Sequence, residues 1–147
     1  MKVIITIEIE NDEVKVSTEK EPETKNDWIT PVTEGVSQYA RFFDDGCTGW
    51  CKDAEANKIF LIAQEHYANE LLRKKGYLFL NDVYDMLGIP ETKAGQIVGW
   101  IYNEENPVGD NYVDFGLDEL RNVDFINGYA RVPLLDFNVD GNILDLI

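Results

Sequence analysis

An α+β fold is what this sequence predicts, with an N-terminal β-hairpin, two central helices and a C-terminal antiparallel β-sheet in a single domain over residues 1–147. Three observations predict it. Alternating β-branched residues open the chain, apolar residues recur at helical spacing in its middle, and short apolar runs broken by Asn-Gly and Asp-Gly close it. A length of 147 residues suits one domain able to bury roughly 68–70% of the surface its unfolded chain exposes. At 44% hydrophobic and 12% aromatic the chain is too apolar for disorder, and it needs no disulfide or metal to form a core.

Residues 1–17 read as the hairpin: Lys2-Val3-Ile4-Ile5-Thr6-Ile7-Glu8-Ile9 and Glu13-Val14-Lys15-Val16 flank the polar turn Asn11-Asp12. Residues 18–27 contain no apolar side chain and read as a solvated connector, which leaves 28–147 as the main body. The stretch from Trp28 to Cys51 has no clear period, because Pro31, Gly35, Gly46 and Gly49 interrupt its aromatic residues. From Asp53 to Lys75, Phe60/Leu61, Ala63, Tyr67/Ala68 and Leu71/Leu72 fall at helical spacing and predict one apolar stripe. Asp53 and Glu55 favour the start of that helix, Arg73, Lys74 and Lys75 its carboxyl end, and Gly76 an αL cap. Tyr77 to Leu80 reads as a short strand, and Asn81 as the cap of a second helix through Leu87 that Gly88 and Pro90 stop.

Beyond it, Ile97 to Tyr102, Tyr112 to Phe115, Tyr129 to Phe137 and Asn142 to Ile147 are the expected strands. Asn127-Gly128 and Asp140-Gly141 are expected as type I′ hairpin turns, and Leu117 to Asn122 as one helical turn. Two adjacent helices raise the question of a DNA-binding motif. The second carries Asp82 and Asp85 and no base, so it offers no surface for reading nucleic acid.

No complete catalytic constellation is visible, and a non-enzymatic role without cofactor is the expectation. Asp136-Phe137-Asn138-Val139-Asp140-Gly141-Asn142-Ile143 matches positions one, three, five, six and eight of an EF-hand-type calcium loop, with Asp136, Asn138 and Asp140 as the candidate ligands at one, three and five. Position twelve is Ile147, so the bidentate Glu is missing, and the alternating apolar residues read better as strands around a turn. Cys47 and Cys51 are expected as reduced packing residues, and His66, beside a core-facing Tyr67, as a half-buried structural histidine. A zinc site would need a second ligand pair, and no phosphate-binding glycine loop is present.

Charge is the clearest departure from an average domain. The 28 acids and 13 bases give a net charge of −15, with 10 acids against 2 bases in residues 101–147. Such a field repels nucleic acid and anionic membranes and attracts a basic protein. Glu104, Glu105, Asp110, Asp114, Asp118 and Glu119 are the candidate partner-binding residues, placed between or beside the expected strands. Residues 1–9 lack a long apolar run or a cleavage site, so the expectation is a cytoplasmic protein without a membrane span.

Phe79-Leu80-Asn81-Asp82-Val83-Tyr84-Asp85-Met86-Leu87-Gly88, Val98-Gly99-Trp100, Val113-Asp114-Phe115-Gly116 and Leu134 to Gly141 resemble small acidic accessory proteins of phages and integrative elements of Gram-positive bacteria. The resemblance covers about the last seventy residues and carries no catalytic motif. It implies an inhibitor or adaptor in the host bacterial cytoplasm, of the class that includes anti-CRISPR proteins and DNA mimics. The expected partner is a basic nucleic-acid-handling protein such as a CRISPR nuclease. A phage structural or assembly protein, forming a homo-oligomer, and a small enzyme with a dispersed site are the alternative readings.

Overall fold

The computed structural model describes residues 31–147, and the expected hairpin and connector lie outside them. Within these residues the chain is α+β: three helices with two small antiparallel sheets. The dominant element is α1 (Ala54–Lys75), 22 residues long. Its ends follow the sequence closely. The Asp53 carboxylate accepts the N–H groups of Glu55 and Ala56, and Gly76, in the left-handed region at φ 87°, donates its N–H to Leu72.

β1 (Arg41–Phe42) pairs with β4 (Leu134–Leu135) in one sheet; β2 (Tyr77–Phe79), β3 (Val98–Ile101) and β5 (Gly141–Asn142) form the other, with β3 in the centre. Phe79 opposes Gly99, and a side chain at position 99 would run into the backbone of Leu78 and Phe79, so glycine allows β2 to approach. α2 (Leu80–Leu87) follows β2 directly. Asn81 does not cap it: the Asp82 carboxylate accepts the Phe79 N–H at 3.1 Å instead, while Asn81 bonds to Thr92. Gly88 closes the helix at φ 77° against Thr48, where no side chain has room.

Leu61, Ala68 and Leu72 turn α1 inward, onto β2, α2 and α3 (Val123–Ile126). Trp100, Tyr84, Phe43, Phe115 and Phe125 fill the core with essentially no exposure. Each such aromatic removes 150–250 Å² from water, which makes these side chains the main source of stability. The stripe on α1 is narrower than its spacing suggests, because Ala63 is exposed and Tyr67 is 51% exposed.

The last third departs most from expectation. The segment 112–115 belongs to neither sheet, only Leu134–Leu135 of 129–137 forms a strand, and of 142–147 only Asn142 is in β5, with a 3₁₀ turn following at Leu144–Leu146. Asn127 and Gly128, at φ −85° and 86°, end α3 rather than reversing a hairpin. Gly141 leads into β5, which pairs with β3 and not with the residues before it. The expected turn at 117–122 does form, as a 3₁₀ helix at Leu120–Asn122 running into α3. Among the described residues, no helix is long and apolar enough to cross a membrane.

Candidate functional site

Asparagine side chains organise the irregular third. Asn69 accepts the Val113 N–H at 2.8 Å and donates to the Val113 carbonyl at 3.0 Å, so one amide replaces a strand partner. Asn122 does the same for Leu134 and also donates to Gly116. Asn138 accepts from the Trp100 indole and the Asp114 N–H, and donates to the Tyr112 carbonyl and the Asp110 carboxylate. A fully bonded, partly buried network of this kind has one low-energy arrangement, because leaving any member unpaired is costly.

This scaffold brings several carboxylates near one another. Glu65 reaches out from α1 to accept the Phe115 N–H at 2.8 Å, and its pKa is raised by burial, with Asp114 and Asp118 adding repulsion against the Phe115 hydrogen bond. Asp140 accepts the Ile101 N–H at 2.8 Å, and its pKa is likewise raised, first by burial and then by the charge of Asp110. Asn138 links the two groups, holding the Asp114 backbone and the Asp110 side chain at once. Asp114 and Asp118 therefore lie near Glu65, and Asp110 lies near Asp140.

Of the residues selected from sequence, Asp110, Asp114 and Asp118 are brought together here. Glu104 and Glu105 are exposed on the adjoining 103–111 loop, whose ends Asn111 clamps through both backbone groups of Asn103. Glu119 stands apart, bound to Arg121 at 3.0 Å, which in turn donates to the carbonyls of Val32 and Glu34. Glu65 and Asp140 were not expected in the site. Their positions depend on long-range contacts, which no local spacing encodes.

The calcium-loop candidates diverge. Asp136 accepts from the backbone and hydroxyl of Ser37, Asn138 serves the bonds just given, and Asp140 faces Ile101. Among the described residues, no three or more His, Cys, Asp or Glu side chains are placed to share an ion. Cys47 is buried and Cys51 exposed, and both are free thiols. Burial pushes the Cys47 thiol up, and Asp44 and Asp45 add to this, against an Asp44 hydrogen bond, so the thiolate is disfavoured. His66 is not half-buried: its side chain is 73% exposed and pairs with Glu70 at 3.2 Å.

No curated protein and no solved structure matches the chain significantly. A family model does match, over residues 2–147, and the chain therefore belongs to DUF6353, a family of unknown function.

Proposed function

We propose that this protein works by binding, presenting Asp110, Asp114 and Asp118 with Glu104 and Glu105 to a basic surface on a nucleic-acid-handling protein in the bacterial cytoplasm. The observation that carries this reading is the hydrogen-bonded placement of neighbouring carboxylates, with Asn138 holding the Asp110 side chain and the Asp114 backbone at once; the charges of Asp114, Asp118 and Asp110 add to burial in raising the pKa values of Glu65 and Asp140. Confining carboxylates at close range opposes folding unless something else holds them. Here hydrogen-bonded asparagines do so, and an incoming cationic surface would relieve the repulsion. A role as a phage or mobile-element inhibitor, of the anti-CRISPR type, fits this chemistry and the resemblance of residues 77–147.

Reversing Glu104, Glu105 and Asp118 to lysine tests the reading, since all three are exposed and none is a described partner of a backbone N–H. The partner would be captured from a phage host lysate and its affinity measured at 0.05 M and 0.5 M salt. Binding that is weakened by the reversals, falls steeply with salt and is displaced by nucleic acid is the expected outcome. A partner that binds this protein and its nucleic acid together, with undiminished affinity, would exclude competition for one groove.

A further inference from the structure

The outward face of α1 is apolar where a solvated helix would be polar. Ile59 is 59% exposed, Ile62 51% and Tyr67 51%, with exposed Ala63 among them. Spaced three or four apart, Ile59, Ile62 and Ala63 share one side, opposite the buried Leu61, Ala68 and Leu72. Charge marks this helix out as well. Residues 54–75 carry three acids (Glu55, Glu65, Glu70) and four bases (Lys58, Arg73, Lys74, Lys75) in a chain of net charge −15. Two copies of so acidic a protein meet with least repulsion at such a place.

We propose that this face joins two copies of the chain, their α1 helices antiparallel across a two-fold axis near Gln64. The order of charges on the face is what selects a second copy as the occupant. About that axis Glu55 opposes the partner's Arg73 and Ile62 meets the partner's His66, while Lys58, its side chain 26% exposed, stays with its own chain on the Ile126 carbonyl at 3.3 Å. The Glu55–Arg73 pair is of opposite sign and, by the two-fold, occurs twice, as in any isologous contact. Glu55, its side chain 66% exposed, pairs with Lys58 of its own chain only at 3.7 Å, so turning it to the partner's Arg73 costs little. Antiparallel packing also sets the acidic start of each helix, Asp53 and Glu55, beside the basic Arg73, Lys74 and Lys75 at the end of the other. A pair of 22-residue helices, about 33 Å long, covers less than a standard interface, so a dissociation constant in the micromolar range is expected.

Sedimentation velocity on the full chain between about 1 and 200 μM tests the proposal. The expected result is a concentration-dependent monomer–dimer equilibrium that Ile62→Lys, a change at an exposed position, weakens at least about tenfold. Glu55→Arg should weaken it too, and Glu55→Arg with Arg73→Glu should restore it. Ile59→Lys serves if Ile62→Lys fails to fold. A chain that stays monomeric at 200 μM overturns the proposal, whether residues 1–30 or another protein then cover the face. So does a dimer that Ile62→Lys and Ile59→Lys leave intact.

Discussion

Asn122 shows how a single residue holds the irregular part of this molecule. It is fully buried, and its amide serves both backbone groups of Leu134 and the carbonyl of Gly116, each at 2.9 Å. Replacing it with alanine strands three buried polar groups, at about 1 kcal/mol or more apiece. Asn122→Ala is therefore expected to destabilise the protein by about 3 kcal/mol, read as a fall in the urea midpoint. Asn111→Ala, which removes the same kind of clamp from an exposed loop, should cost no more than about 1 kcal/mol. Equal effects would mean that burial does not set the strength of these clamps. Asparagine in a sequence reads as a turn or a cap, and nothing local distinguishes a residue that closes its own turn from one that bridges to a distant segment. That is why Asn69, Asn122 and Asn138 could not be identified in advance.

Among the elements, α1 was legible to within a residue at either end, because its cap, its stripe and its final glycine are all local signals. β3 was legible as well, although not the reason for Gly99. Gly99→Ala is expected to destabilise the protein by about 1–3 kcal/mol through overpacking against β2. Thermal unfolding of the folded variant measures this. A change below about 0.5 kcal/mol would show that β2 can shift to make room. The strand expected at 112–115 did not form, and those expected at 129–137 and 142–147 shrank to β4 and β5. A strand needs a partner along its length, and at 113 and 115 side chains occupy that place: Asn69 bonds to Val113 and Glu65 to Phe115.

For the whole molecule, the acidic balance becomes a dependence of stability on pH. Glu65 and Asp140 have folded-state pKa values above their ordinary ones. The native state therefore holds its protons more tightly than the unfolded chain does. That contribution to stability is complete below the ordinary carboxylate range, near pH 4, and is lost as the pH rises through the raised values. Charge repulsion across a molecule of net charge −15 acts in the same direction. The melting temperature is expected to be higher at pH 5 than at pH 8, and Glu65→Gln, which keeps an acceptor for the Phe115 N–H, should narrow the difference. A melting temperature that rises with pH would contradict this account.

The sequence by itself determined the α+β class, the position and both ends of α1, the stop of α2 at Gly88, the central strand and the acidic character, all of which depend on neighbouring residues. Only the tertiary structure decided which strands would find partners, where Asn69, Asn122 and Asn138 would reach, and that Glu65 would come near Asp114 and Asp118, and Asp140 near Asp110. It also decided that His66 and Tyr67 face outward, because periodicity locates an apolar face but not how much of it the core covers. Local signals arise from backbone geometry within a turn or two. A site assembled from residues 65, 114 and 140 exists only once the chain has closed over distances no such signal spans.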